Sequence, residues 1–206
     1  MKQRFLSLCG AIAPVLFVFV AILGGALRPG YSHVTDTISE LFSPGAPNKL
    51  LLDILHTLFA FLLTLFGIGV LLFIRRSKQS SPIGIIGASL YIAMGLLSVT
   101  TATIFPQDAW DTPATFTGEM HKILSGVISL LSMLSMTFIG IWFHRTKLFR
   151  GFGIYSFITV VVIVPTAGFF MAEWGSPIMG LAERIPILIG FLWTFILALW
   201  LFSRNS

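Results

Sequence analysis

The chain has 206 residues, of which 56% are hydrophobic and only 10% charged, with a mean hydropathy of +0.93. A water-soluble domain of this length carries roughly a quarter charged residues, so the composition is that of a membrane protein. The formal charge of +5 is not a nucleic-acid signature, because no basic stripe with interleaved aromatics exists, and the single cysteine excludes an internal disulfide and any CxxC zinc site.

The first apolar run, residues 5–27, follows Met-Lys-Gln-Arg. It has no A-x-A-like cleavage site and is longer than a typical signal-peptide core, which predicts a retained span. Within it "LSLC" is a poor lipoprotein site, since Leu8 stands where a small residue is needed; Cys9 is expected to be a buried helix residue.

Next comes "RPGYSHVTDTISELF", residues 28–42, a polar island between apolar runs. Read as a short amphipathic helix lying on the outer membrane surface over residues 33–42, it turns His33, Asp36 and Glu40 to one face and Val34, Ile38 and Leu41 to another. Thr37-x-x-Glu40 also fits a capping box, which would start the helix later, and "SPG" at 43–45 ends it. A merely solvated polar face accounts for such a helix; so does a lid presenting a His/Asp/Glu face to a site beneath.

Five further uncharged runs follow at 54–74, 82–105, 123–143, 152–172 and 185–202, each long enough to cross a hydrocarbon core of roughly 30 Å. The whole chain, 1–206, therefore reads as a single all-α domain, a bundle of six transmembrane helices. Lys2, Arg4, Arg75, Arg76, Lys78, Arg145, Lys147, Arg150 and Arg204 lie on one side, against Arg28, Lys49, Lys122 and Arg184 on the other. Nine against four predicts a multi-pass protein of the cell membrane with both termini cytoplasmic. All eight acids, Asp36, Glu40, Asp53, Asp108, Asp111, Glu119, Glu173 and Glu183, fall on the outer side, where the segments are also longer.

Several polar residues sit near membrane depth on that side. "NKLLLDILHTL" places Asp53 and His56 at i, i+3 about 10 Å along a helix starting near Asn48. "GEMHKILSGVISLLSMLS" lines up His121, Ser125, Ser129, Ser132 and Ser135, and "LAERIP" opens the last helix with Glu183 and Arg184. Serine stripes usually serve close packing, as Gly84-x-x-x-Ala88 and Ser125-x-x-x-Ser129 would. Ionisable groups at this depth are costly and seek partners in the bundle interior, so His33, Asp36, Glu40, Asp53, His56, Asp108, His121, Glu183 and Arg184 are the expected ligand-binding set.

"RPGYSHVTDTISEL" after the first helix, "FPQD" after the third, "GEMH" opening the fourth and "AER" opening the sixth resemble the domain-of-unknown-function-998 family over essentially the whole chain. The resemblance implies a six-span prokaryotic-type integral membrane protein and no particular reaction.

Three functions compete. An outward-facing polar pocket in an apolar bundle suits binding or transport of an amphiphile, with membrane lipids as partners, although no matched broken helices of a secondary transporter are present. A metal-dependent membrane hydrolase of lipid esters or amides would draw its ligands from His56, His121 and Asp108 around a divalent ion such as zinc, but no tight ligand spacing supports it. A bis-histidine haem between His56 and His121 ranks third.

Overall fold

The computed structural model describes residues 2–110 and 112–204. It contains six long helices: α1 (Lys2–Leu27), α2 (Lys49–Arg76), α3 (Pro82–Thr103), α4 (Phe116–Thr146), α5 (Phe152–Ala172) and α6 (Met179–Arg204). Each is long and apolar enough to cross a membrane, and no strand occurs among the described residues. The protein is therefore an all-α, multi-pass membrane protein. Cys9 is buried in α1, as expected.

Three helices begin earlier than their uncharged runs. α2, α4 and α6 continue outward through Asp53, Glu119 and Glu183. Charged residues are tolerated there because intrahelical pairs neutralise them: Lys49 Nζ lies 2.8 Å from Asp53, and Lys122 Nζ lies 2.8 Å from Glu119. Local signals set the other ends. Thr115 caps α4 by accepting from the Gly118 amide, Pro82 opens α3, and Gly151 at φ 77° separates α4 from α5.

Each helix packs against its neighbours in the chain, and α6 closes on α1 to complete a ring. The seven described acids lie at one end of this ring and the nine-cation set at the other; Asp111 lies outside the described residues. We call these the acidic and basic ends. Large aromatic side chains fill the ring, and their polar atoms are satisfied across helices. Tyr91 Oη is 2.9 Å from Thr194 Oγ1, and the Trp193 indole donates to Ser156 Oγ at 2.8 Å. The Trp142 indole donates to the Gln79 carbonyl at 2.9 Å. Away from water an unmet polar group is costly, which explains why these partners exist.

The serine stripe divides. Ser135 is fully buried and donates to the Gly87 carbonyl at 2.8 Å, joining α4 to α3. Ser129 is exposed and bonds back to the Ser125 carbonyl of its own helix, so Ser125-x-x-x-Ser129 is not a packing seam. Gly84 and Ala88 are buried, as a small-residue seam requires.

The polar island departs furthest from expectation. Residues 33–38 form turns, and helix is confined to one 3-10 turn at Ser39–Phe42. Nor does its second half lie on the surface. Ile38, Leu41 and Phe42 are buried, packing with Val20, Leu52 and Ala102 of α1, α2 and α3; Glu40 is buried as well, while Val34 is exposed. His33, Asp36 and Glu40 thus share no face. Short polar side chains bonding their own backbone defeat the longer helix. Asp36 accepts from the Ser32 amide at 2.8 Å, and Glu40 Oε2 accepts from the Thr37 amide at 2.8 Å. The second bond is half of the capping box, and it starts the helix late.

Candidate functional site

The segment from Arg28 to Ala46 is a plug seated in the acidic end, and three of the nine expected site residues, His121, Glu183 and Arg184, hold it there. Arg28 donates to the Glu40 carbonyl. Tyr31 Oη donates to the Thr37 carbonyl at 2.9 Å. From α6, the Leu181 amide donates to the Val34 carbonyl at 2.9 Å, Arg184 Nη1 to the Asp36 carbonyl at 3.0 Å, and Glu183 Oε2 accepts from the Ile38 amide at 2.5 Å. Gly180 makes this approach possible: a Cβ there would stand 2.3 Å from the Asp36 carbonyl oxygen.

His121 clamps the plug from α4. Its Nδ1 lies 3.0 Å from the Thr101 carbonyl and 2.9 Å from the Phe105 carbonyl. Carbonyls only accept, so Nδ1 carries a proton, and Nε2 lies 3.2 Å from the Ser39 hydroxyl oxygen. Glu183 Oε1 lies 3.5 Å from the same hydroxyl oxygen, so Ser39 bridges α4 and α6. Sequence reading missed Ser39, Tyr31 and Gln107, whose amide reaches Thr37 Oγ1 at 3.5 Å. Ser39 and Tyr31 lie inside "RPGYSHVTDTISEL" and Gln107 inside "FPQD", so the motifs held the signal although no spacing singled these residues out.

The remaining candidates disperse. Asp53 pairs with Lys49 and does not meet His56. Asp108 binds the Thr115 hydroxyl at 2.6 Å and the Thr115 amide at 2.9 Å; these two bonds hold its carboxyl below the usual range. His56 sits among Phe42, Phe59 and Phe17, with ring centroids 5.2, 5.4 and 6.3 Å away, and its buried Nδ1 has no hydrogen-bond partner. The expectation that an ionisable group at this depth finds a polar partner in the bundle interior is not met at that nitrogen among the described residues. Three aromatic rings pack around it instead. The His56, His121 and Asp108 set is likewise not brought together for a metal, and among the described residues no group of three His, Cys, Asp or Glu can hold one.

Beside the plug, a half-open slot of about 210 Å³ runs between α1 and α6. Phe17, Val18 and Ile22 line one wall and Ile187 and Leu188 the other, with Ile38 of the plug at its head. His33 and Arg184 form the polar mouth. Arg184 is held by neutral acceptors only: the Asp36 and Gly180 carbonyls, Tyr31 Oη at 2.6 Å and His33 Nδ1 at 3.2 Å. Since a guanidinium only donates, His33 Nδ1 accepts and Nε2 carries the proton, on the ring edge that packs against Gly25 of α1, where a Cβ would stand 2.7 Å from Nε2. Burial, then the Arg184 charge, lowers the His33 pKa, so the ring is a neutral donor near pH 7. Burial pushes Tyr31 up to about 12 against the pull of Arg184, and burial likewise raises Glu40. Among the described residues Arg184 forms no ion pair, and the adjacent Glu183 points its oxygens at the plug.

Comparison with known proteins matches residues 11–200 to the family described as "Protein of unknown function (DUF998)". No curated protein and no solved structure matches the chain. With nearly the full length matched, this six-span membrane protein belongs to the DUF998 family.

Proposed function

We propose that the protein binds a single-chain amphiphile with an anionic head, the tail in the α1–α6 slot and the head at Arg184 and His33. The observation that carries the proposal is the slot itself: apolar along its length and mouthed by a cation that no carboxylate of the described residues pairs with. The four donors of the two Nη groups are already engaged, so Arg184 contributes chiefly its field, with the His33 ring beside it as the other polar group at the mouth. An ordinary pocket combines an apolar lining with a few placed polar groups in the same way.

The binding test uses detergent-purified protein and a fluorescently tagged palmitate, competed with untagged palmitate or with the neutral alcohol of equal length. Palmitate is expected to compete and the alcohol to compete at least about tenfold less well, a difference of roughly 1.4 kcal/mol. Val18→Trp fills the slot without touching the plug bonds and should weaken binding by a similar factor, as should His33→Ala. Unchanged binding in Val18→Trp would place the palmitate elsewhere and end the proposal. Equal competition by the alcohol would remove the anionic head.

The basic end faces the cytoplasm in this proposal, with both termini there and the slot in the outer leaflet; the nine-to-four distribution of Lys and Arg supports it. Single cysteines at the exposed Thr112 and Ser80 test this in intact cells, the native Cys9 being buried. A membrane-impermeant maleimide should modify the cysteine at 112 and spare the one at 80; the reverse pattern inverts the topology.

A further inference from the structure

A second cleft, of about 170 Å³, lies at the opposite end of the ring, where α4 ends and α5 begins. Phe143 and Phe149 give it aromatic walls, Gly151 and Gly153 leave its floor bare, and His144, Lys147 and Arg150 stand on its rim. All three rim residues are exposed. Among the described residues neither Lys147 nor Arg150 makes an ion pair or a side-chain hydrogen bond. The connector between them is held in place by Arg204, which donates to the Leu148 carbonyl at 3.5 Å and lies 5.1 Å from the Trp200 ring.

We infer that this cleft seats the phosphate of an anionic glycerophospholipid from the leaflet at the basic end. Charge complementarity is the first argument. Nine Lys and Arg residues crowd this end, and every described carboxylate side chain lies at the other, so no described side chain supplies an anion here. A bilayer does, at the height where the cleft opens, and basic pockets between membrane helices take lipid head groups in this manner. Shape is the second. The cleft gathers two of the nine cations and a histidine around one concavity, which a surface of scattered charges does not. The third is continuity with the lipid-facing surface. Ile154 lines the cleft, and Ile158 and Val161 follow at i+4 and i+7, all three exposed on α5. They form an apolar track along which acyl chains run away from the head group, which a free phosphate would not use.

Because this cleft and the α1–α6 slot are at opposite ends and share no residue, either site can fail alone. The test is native mass spectrometry of the full chain titrated with dioleoyl-phosphatidylglycerol or dioleoyl-phosphatidylcholine in detergent. The glycerol lipid is expected to bind about tenfold more tightly, and Lys147→Gln with Arg150→Gln to abolish that preference. Arg75→Gln with Arg76→Gln, a pair at the same end outside the cleft, should leave it intact. Equal preference in the Lys147/Arg150 variant and the unaltered protein would overturn the inference. So would an equal loss in the Arg75/Arg76 variant, which would mean diffuse attraction, or displacement by inorganic phosphate alone at matched concentration, which would mean a free-anion site.

Discussion

Glu183→Ala will detach the plug from the acidic end. The carboxylate accepts from the Ile38 amide at 2.5 Å and reaches Ser39 at 3.5 Å, while Ile38 is only 6% exposed. Truncation leaves that buried amide without a partner, which costs about 1–3 kcal/mol, and strips one of the two anchors from the Ser39 bridge for about 1 kcal/mol more. Water can enter only by lifting the small core of Ile38, Leu41 and Phe42 off α1 and α2. Hydrogen exchange should therefore quicken from Tyr31 to Phe42 while the amides of the aromatic ring core stay protected, and thermal unfolding in detergent should begin lower. Glu183→Gln retains an acceptor oxygen for Ile38 and should lose less than half as much. If Ile38 exchanges as slowly in the alanine variant as in the unaltered protein, the carboxylate is not the plug's anchor.

Gly87→Leu is the second large effect, and it acts on the ring itself. A Cβ at Gly87 would stand 2.9 Å from the Ile139 backbone nitrogen and 3.0 Å from the Phe138 Cβ, and the neighbouring Ser135–Gly87 hydrogen bond spans the same seam. Backbone cannot move aside as a flexible side chain can, so α3 and α4 must separate. Overpacking of this kind costs about 1–3 kcal/mol, and the lost hydrogen bond adds to it. Gly87→Ala meets the same clash with less bulk, partly offset by about 1 kcal/mol of helix propensity. Gly126, with nothing within 4 Å of a Cβ, is the internal control: Gly126→Leu should leave unfolding unchanged or raise it. Equal thermal stability of the Gly87→Leu and Gly126→Leu proteins would rule out close packing at Gly87.

The first result bears on the slot. The plug supplies Ile38 at its head and His33 at its mouth, so a detached plug removes two of its contacts while α1 and α6 remain. Glu183→Ala should weaken palmitate binding alongside the faster exchange, whereas Val18→Trp should weaken binding with exchange unchanged.

The sequence by itself determined the six spans, the sorting of charge between the two ends, the family and the buried place of Cys9. These are properties of runs along the chain. A hydrocarbon layer requires about 20 consecutive apolar residues per helix, and it confines charge to the connectors and the ends of the helices whatever the helices do next. Gly84 and Ala88 were legible for the same reason, since helical spacing places them on one buried face. Only the tertiary structure decided which polar groups meet. Spacing put Asp53 beside His56, yet Lys49 takes the carboxylate and three phenylalanines take the ring. Spacing put His33, Asp36 and Glu40 on one helical face, yet Asp36 and Glu40 bond their own backbone and fold the segment into turns. Glu183 finds the Ile38 amide 145 residues away, and His121 finds Ser39 82 residues away. Such pairings depend on which helices stand side by side and how deeply a connector sinks between them, and periodicity along one helix contains neither. A buried polar group takes the nearest donor or acceptor that packing brings to it, and here packing brought backbone amides and carbonyls of the plug more often than the other ionisable side chains.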